Sequence, residues 1–141
     1  MKNDKKILIL EPERIAGLEL QQQLEKKGFS VDRPISLVDT EAAIEKDKPD
    51  LVIADTDIKK QNLFARIKKY FKKLWLPIIW IGTLTHKEAI KESKEINTIG
   101  TFSKPFDSKK IVAFIINYFN KTVTYIHKLR GSLRKSQRSL R

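Results

Sequence analysis

Short apolar runs alternate with longer amphipathic stretches along this chain. Lys6-Ile7-Leu8-Ile9-Leu10, Leu51-Val52-Ile53-Ala54 and Ile78-Ile79-Trp80-Ile81 are rich in β-branched residues and bounded by charges, proline or glycine. Unbroken apolar runs this short predict strands buried on both faces rather than helices. Residues 29–33 predict another strand, and Pro34, which offers no ladder donor, suits an edge position. A fifth short strand closes at Lys104-Pro105-Phe106. Between these runs, helical period marks residues 13–27, 41–46, 63–74, 87–95 and 109 onward. Strand and helix therefore alternate five times, which implies a parallel sheet with right-handed crossovers and helices on both faces.

Local signals support these boundaries. Gly28 follows the first helix, Thr85-His86-Lys87-Glu88 has capping-box spacing before the fourth, and Asp107 or Ser108 can cap the fifth. In the third helix Phe64, Ile67, Phe71 and Leu74 share a face, leaving Lys68, Lys69, Lys72 and Lys73 mainly on the wet side. Trp75 and Trp80 lie in or beside apolar segments and are expected in the core. The last helix carries Ile111, Val112, Phe114, Ile115, Ile116, Tyr118 and Phe119 on more than one face, then thins to Val123, Ile126, Leu129 and Leu133. This pattern predicts a domain over 1–120 and, over 121–141, a helical extension that frays past Gly131-Ser132 into a basic tail.

Composition narrows the chemistry. The chain has 141 residues, one domain's worth, and no cysteine, which removes disulfides, thiolate metal sites and thiol nucleophiles. Without a secretory segment or a long apolar run, a soluble, cytoplasmic protein with no membrane partner is expected. Net charge is +12, of which residues 121–141 contribute +7 with no acid. Eight more Lys or Arg lie between Asp57 and Glu88 without a carboxylate. Such patches attract phosphates or acidic partners, nucleic acid among them, although a solvated face gives the same composition. His86 and His127 have no second ligand at metal-binding spacing, and no phosphate loop, nucleophile elbow or HExxH is present, so conventional enzyme classes have no support.

Asp55 ends an apolar run and is followed by polar Thr56-Asp57, so a carboxylate emerges where a core strand reaches the surface. That is where open α/β sheets place ligands. If the strand before Lys104 lies in the same sheet, an ammonium stands beside it. Together with these two positions, Ile7-Leu8-Ile9-Leu10-Glu11-Pro12-Glu13, Pro49-Asp50-Leu51-Val52-Ile53-Ala54-Asp55 and Gly100-Thr101-Phe102-Ser103-Lys104-Pro105-Phe106-Asp107 resemble the receiver domain of two-component response regulators over about residues 5–120. The resemblance implies a flavodoxin-like (βα)5 doubly wound sheet of order 2-1-3-4-5. It also implies phosphorelay signal transduction rather than turnover enzymology, with at most self-phosphorylation and slow dephosphorylation. Asp55 is then the phosphoacceptor for a histidine kinase or phosphotransfer protein, Lys104 contacts the phosphoryl oxygens, and Lys104-Pro105 is cis. Glu11, Asp55 and the backbone carbonyl near Asp57 would hold Mg²⁺.

Three positions depart from the family. Pro12 stands where a second acid normally binds the metal, so Mg²⁺ binding is expected to be weak; Glu13 is a substitute only if its helix turns it inward. Gly82 replaces a Ser or Thr hydroxyl that bonds the phosphoryl group, and Thr83 compensates only if its loop rotates. Thr101 replaces the aromatic switch residue. Altered switching is therefore expected. Val112, Ile116 and Phe119 are candidates for a homodimer or output surface made with the fourth helix and fifth strand. The alternative function is a phosphorylation-independent pseudo-receiver binding an acidic protein or nucleic acid through its basic helix and tail. A piece of a longer protein, with the last helix leading into another domain, fits the same sequence.

Overall fold

A computed structural model describes residues 4–83 and 94–139. Five parallel strands, β1 (Lys6–Leu10), β2 (Ser30–Asp32), β3 (Leu51–Asp55), β4 (Ile78–Ile81) and β5 (Thr98–Phe102), form one sheet of order β2-β1-β3-β4-β5. This is the flavodoxin-like arrangement, and β2 is an edge as Pro34 requires. The predicted strand over 29–33 contracts to three residues, and β5 stops at Phe102, short of Lys104.

Every residue of β3 and β4 is buried, and β1 is buried from Ile7 onward, so both alternating sets of side chains are covered. One set, Leu8, Leu10, Val52, Ala54, Ile78 and Trp80, packs with Leu37, Ile44, Ile67, Phe71 and Leu76 in a single cluster. Burial of such side chains contributes about 1.5–3 kcal/mol each, which is why unbroken apolar runs become central strands. Trp80 is fully buried; its indole N–H donates to Thr98 Oγ1 at 3.1 Å and Lys59 Nζ stands 4.4 Å from its ring.

Helix α1 (Arg14–Lys26) ends at Lys27, and Gly28 takes φ 91° to turn the chain into β2. Helix α2 (Leu37–Lys46) begins four residues earlier than its apolar period predicts. The reason is polar: Ser36 Oγ accepts the Asp39 N–H at 3.1 Å, while its carbonyl accepts the Thr40 N–H at 2.9 Å and the Thr40 hydroxyl at 2.8 Å. Helix α3 (Phe64–Leu74) buries Ile67 and Phe71 and exposes Lys69, Lys72 and Lys73. Glu41 on α2 accepts from Arg66 at 2.8 Å and Tyr70 at 3.3 Å, and Tyr70 also bonds Glu45. That bond and burial beside two carboxylates push the Tyr70 phenol up to about 12.

Trp75 corrects the expectation of a core residue. It caps α3 in the left-handed region, φ 49° and ψ 45°, which leaves its indole 51% exposed. The next residue, Leu76, is fully buried instead, its N–H bonded to Phe71 O at 3.3 Å. The predicted helix over 87–95 and its capping box lie outside the described residues except for Lys94 and Glu95, which form a turn.

The chain divides into two compact units, residues 1–108 and 109–141. The second belongs to a helix, Ser108–Ser139, that runs without a break through Gly131-Ser132, where fraying was expected. Its 32 residues span about 48 Å. Within it Ile111, Val112 and Ile115 are buried, whereas Ile126 and Leu129 are exposed. No helix among the described residues is long and apolar enough to cross a membrane.

Phe71→Ala, which empties a fully buried position, is expected to lower the unfolding free energy by about 3–5 kcal/mol, and Ile126→Ala by less than about 0.5 kcal/mol. Urea titration of the two variants checks this.

Candidate functional site

Parallel register brings the ends of four strands to one edge of the sheet. Leu10 pairs with Ala54, Asp55 with Ile81, and Ile81 with Phe102. The residues just beyond, Glu11, Thr56, Gly82 and the segment leading to Lys104, therefore emerge side by side. The Lys104-Pro105 peptide is cis, as the resemblance implied.

Lys104 joins three of these ends. Its ammonium bonds Asp55 Oδ2 and donates to Glu11 Oε1 at 2.9 Å, with Glu13 Oε2 at 3.8 Å. The Glu11 and Asp55 side chains are 0% and 3% exposed, the Lys104 side chain 31%. The second oxygen of Asp55 is also engaged: Oδ1 accepts the Asp57 N–H at 2.7 Å and closes the first turn of the 3-10 segment Thr56–Lys60. Glu11 Oε1 accepts the Glu13 N–H at 3.0 Å besides Lys104, while Glu11 Oε2 is buried with no hydrogen-bond partner.

Charge balance follows from this geometry. Burial pushes the Glu11 carboxyl above its ordinary value, and the Lys104 and Glu13 hydrogen bonds only partly oppose it. Burial acts on Lys104 in the opposite sense, but its bonds to Asp55 and Glu11 and their charges prevail and hold the ammonium well above its ordinary value. Lys104 is thus charged at any physiological pH, serving two desolvated carboxylates at once.

The other expected site residues fall as follows. Pro12 is exposed beside Glu11. Asp57 turns its side chain outward to Lys60 at 3.3 Å, so only its backbone belongs to the site. Thr101 is exposed on β5, in register with Trp80. Thr83 is exposed, and its side chain is not brought to Asp55; its N–H instead points at Thr56 Oγ1, 3.4 Å away. On the C-terminal helix Ile116 and Phe119 are partly exposed and Val112 is 4% exposed.

Thr56 was not anticipated. Gly82 has φ 134°, and a Cβ there would overlap Thr56 Oγ1, with Thr56 Cβ and Cγ2 at 3.4 and 3.5 Å. The threonine hydroxyl fills the space of a residue-82 side chain. The signal available in the sequence was a hydroxyl residue directly after Asp55 combined with a glycine at the end of the next strand.

The donor set suits a hard cation in part. Glu11 Oε2 is a buried carboxylate oxygen lacking a partner, beside a second carboxylate on Asp55. Both are oxygen donors of the kind Mg²⁺ takes, whereas Pro12 adds none.

A doubly wound sheet with an acidic pair and a lysine at its carboxyl edge defines a receiver-type signalling domain. The family model of the response regulator receiver domain matches residues 7–116, and the chain belongs to that family. It is 26% identical over 119 residues to the transcriptional regulatory protein CrdR of Helicobacter pylori, covering 82% of this chain and 55% of that protein. It is 27% identical over 114 residues to the probable transcriptional regulator ycf29 of Porphyra purpurea, covering 79% and 54%. The chain thus spans about half the length of the curated relatives it matches. Among solved structures, the orphan response regulator HP1043 of H. pylori superposes with a TM-score of 0.68 at 22% identity, covering 83% of this chain and 98% of that one. A CheY-like receiver domain protein of Methanospirillum hungatei gives 0.71 at 16% identity, covering 87% and 99%. Receiver domains of this family bind Mg²⁺ and interact with phosphodonors.

Lys104→Gln leaves two buried carboxylates with no cation. It is expected to destabilise the fold by roughly 1–3 kcal/mol at pH 7, below the cost for a fully buried pair because the ammonium is 31% exposed. Loss of the Lys104 bond raises the Glu11 value further. A group whose folded value is raised stabilises fully below its unfolded value, near 4.5, and loses that contribution as pH rises through the folded value. The Lys104→Gln deficit should therefore shrink on acidification from pH 7 towards 4.5, as read by thermal melts across that range.

Proposed function

We propose that this receiver module accepts a phosphoryl group on Asp55 from a histidine kinase or phosphotransfer protein, with weakened Mg²⁺ binding and altered switching. The observation that carries this reading is the Lys104 ammonium bonded to a carboxylate at the end of a central strand. In the transfer, Asp55 Oδ2 attacks phosphorus in line, a new P–O bond forms, and the bond to the donor breaks with its electron pair leaving on the donor. The Asp57 N–H holds Oδ1 and so orients Oδ2 for attack. Lys104, released from the carboxylate, follows the negative charge onto the phosphoryl oxygens, while its bond to Glu11 keeps it in place.

Glu11, Asp55 and the backbone carbonyl of Asp57 would hold Mg²⁺. When bound, the ion offsets charge on the phosphoryl oxygens. With Pro12 in place of an acid the affinity is reduced. Turnover is confined to self-phosphorylation and slow dephosphorylation, and Ile116 with Phe119 is the surface for self-association.

The test is intact mass after incubation with Mg²⁺ and acetyl phosphate. A single phosphoryl adduct on the wild type, absent from Asp55→Ala, is expected; equal adducts on both would remove the assignment.

A second reading, a pseudo-receiver acting through its basic surface, draws support from the exposed Lys69, Lys72 and Lys73 of α3 and from an Asp55 whose two oxygens both have internal partners. On it, affinity for nucleic acid falls steeply between about 50 and 200 mM salt, and removing residues 121–141 flattens that slope. Fluorescence anisotropy with a labelled oligonucleotide measures both, and no binding at the lower salt eliminates this reading.

A further inference from the structure

We propose that the Thr56 hydroxyl is the side-chain donor that binds the phosphoryl group on Asp55 and couples it to the Thr83 amide. This rests on phosphoryl acceptance at Asp55.

Thr56 is joined directly to Asp55, and its register neighbour across the sheet is Gly82, since Asp55 pairs with Ile81. Its Oγ1 stands where the first atoms of a side chain on residue 82 would lie. Two features of Gly82 make room for it. The missing Cβ removes an overlap with Thr56 Oγ1 as it is placed here, and φ 134° is a backbone conformation that side-chain-bearing residues rarely adopt. Gly82 is itself held, its N–H donating to Phe102 O at 2.9 Å, two residues before Lys104. The hydroxyl therefore sits between the ends of β3 and β4, one residue along the chain from Asp55.

Its hydrogen-bonding state leaves it ready to donate. Oγ1 accepts a long 3.4 Å bond from the Thr83 N–H, and its proton goes to no acceptor among the described residues. A hydroxyl offers one donor and two lone pairs, so it can receive from Thr83 and donate to a phosphoryl oxygen at the same time. A dianionic group arriving on Asp55 gives that proton a charged acceptor. Polarisation of the hydroxyl then strengthens the Thr83 bond, because hydrogen bonds in a chain reinforce one another. Thr83 thus contributes its backbone amide, and the threonine beside the phosphoacceptor supplies the hydroxyl that residue 82 lacks.

The experiment compares Thr56→Val, which keeps shape and loses the hydroxyl, with Thr56→Ser, which keeps the hydroxyl and loses the methyl. Each is incubated with Mg²⁺ and acetyl phosphate, which transfers its phosphoryl group to Asp55 and leaves as acetate; adduct formation is followed by intact mass and the Thr83 amide by NMR. Loss of one hydrogen bond to a charged group predicts phosphorylation of Thr56→Val about tenfold or more slower, with a smaller Thr83 shift. Thr56→Ser should stay within about threefold of the wild type. Circular dichroism confirms folding, and Thr56→Ala replaces the valine variant if that does not fold. Wild-type rates and Thr83 shifts in Thr56→Val overturn the inference while leaving Asp55 as phosphoacceptor; so does a Thr56→Ser as slow as Thr56→Val, which would assign the effect to packing. A wild type that takes no adduct overturns both.

Discussion

Everything at the carboxyl edge of the sheet depends on one ammonium serving two carboxylates. Glu11 and Asp55 end adjacent central strands whose apolar side chains are buried, so their charges are drawn out of water by the same packing that stabilises the core. Desolvation of that kind costs several kcal/mol per ion unless an opposite charge meets it at hydrogen-bond distance. Lys104 meets both, and its butyl stem allows it to do so from a segment beyond β5. One ammonium thus stands against two carboxyl groups. Glu11 Oε2 is left without a partner.

At the same edge a side chain from one strand end fills the space beside a glycine at the next. Parallel strands lie about 4.8 Å apart, close enough for a side chain at the end of β3 to enter the space vacated at the end of β4. Gly82 is needed for its missing Cβ and for its backbone angle, and the threonine that enters brings a hydroxyl with it. Thr101, by contrast, is exposed on β5 and too small to transmit motion by swinging as an aromatic ring does.

Strand polarity was legible in the apolar runs and their alternation with helices, whereas the sheet order and the meeting of Asp55 with Lys104 came from the resemblance to receiver domains. What escaped was set by atoms the apolar period does not report. The start of α2 depends on the Ser36 cap and the Thr40 hydroxyl, so the pattern of buried side chains placed it late. Trp75 looked like core because it sits between Leu74 and Leu76, yet the left-handed turn at its own position rotates it out and gives the buried place to Leu76. The extension was expected to fray past Gly131-Ser132, but one exposed glycine costs a helix only about 1 kcal/mol and here it is spanned. The Thr56 contact is a close approach between segments 26 residues apart, and no periodicity encodes it.

The two tryptophans occupy opposite environments. Trp80 is sealed in the core on a strand adjoining β3, in register with Ala54, with the Lys59 ammonium against its ring; Trp75 stands in water at the far end of α3. An indole facing a cation changes its emission when the local field changes, and Lys59 belongs to the turn that begins at Asp55. A solvated indole emits to the red of a buried one. The two emissions are therefore separable, and the bluer one comes from the ring beside the turn that begins at Asp55.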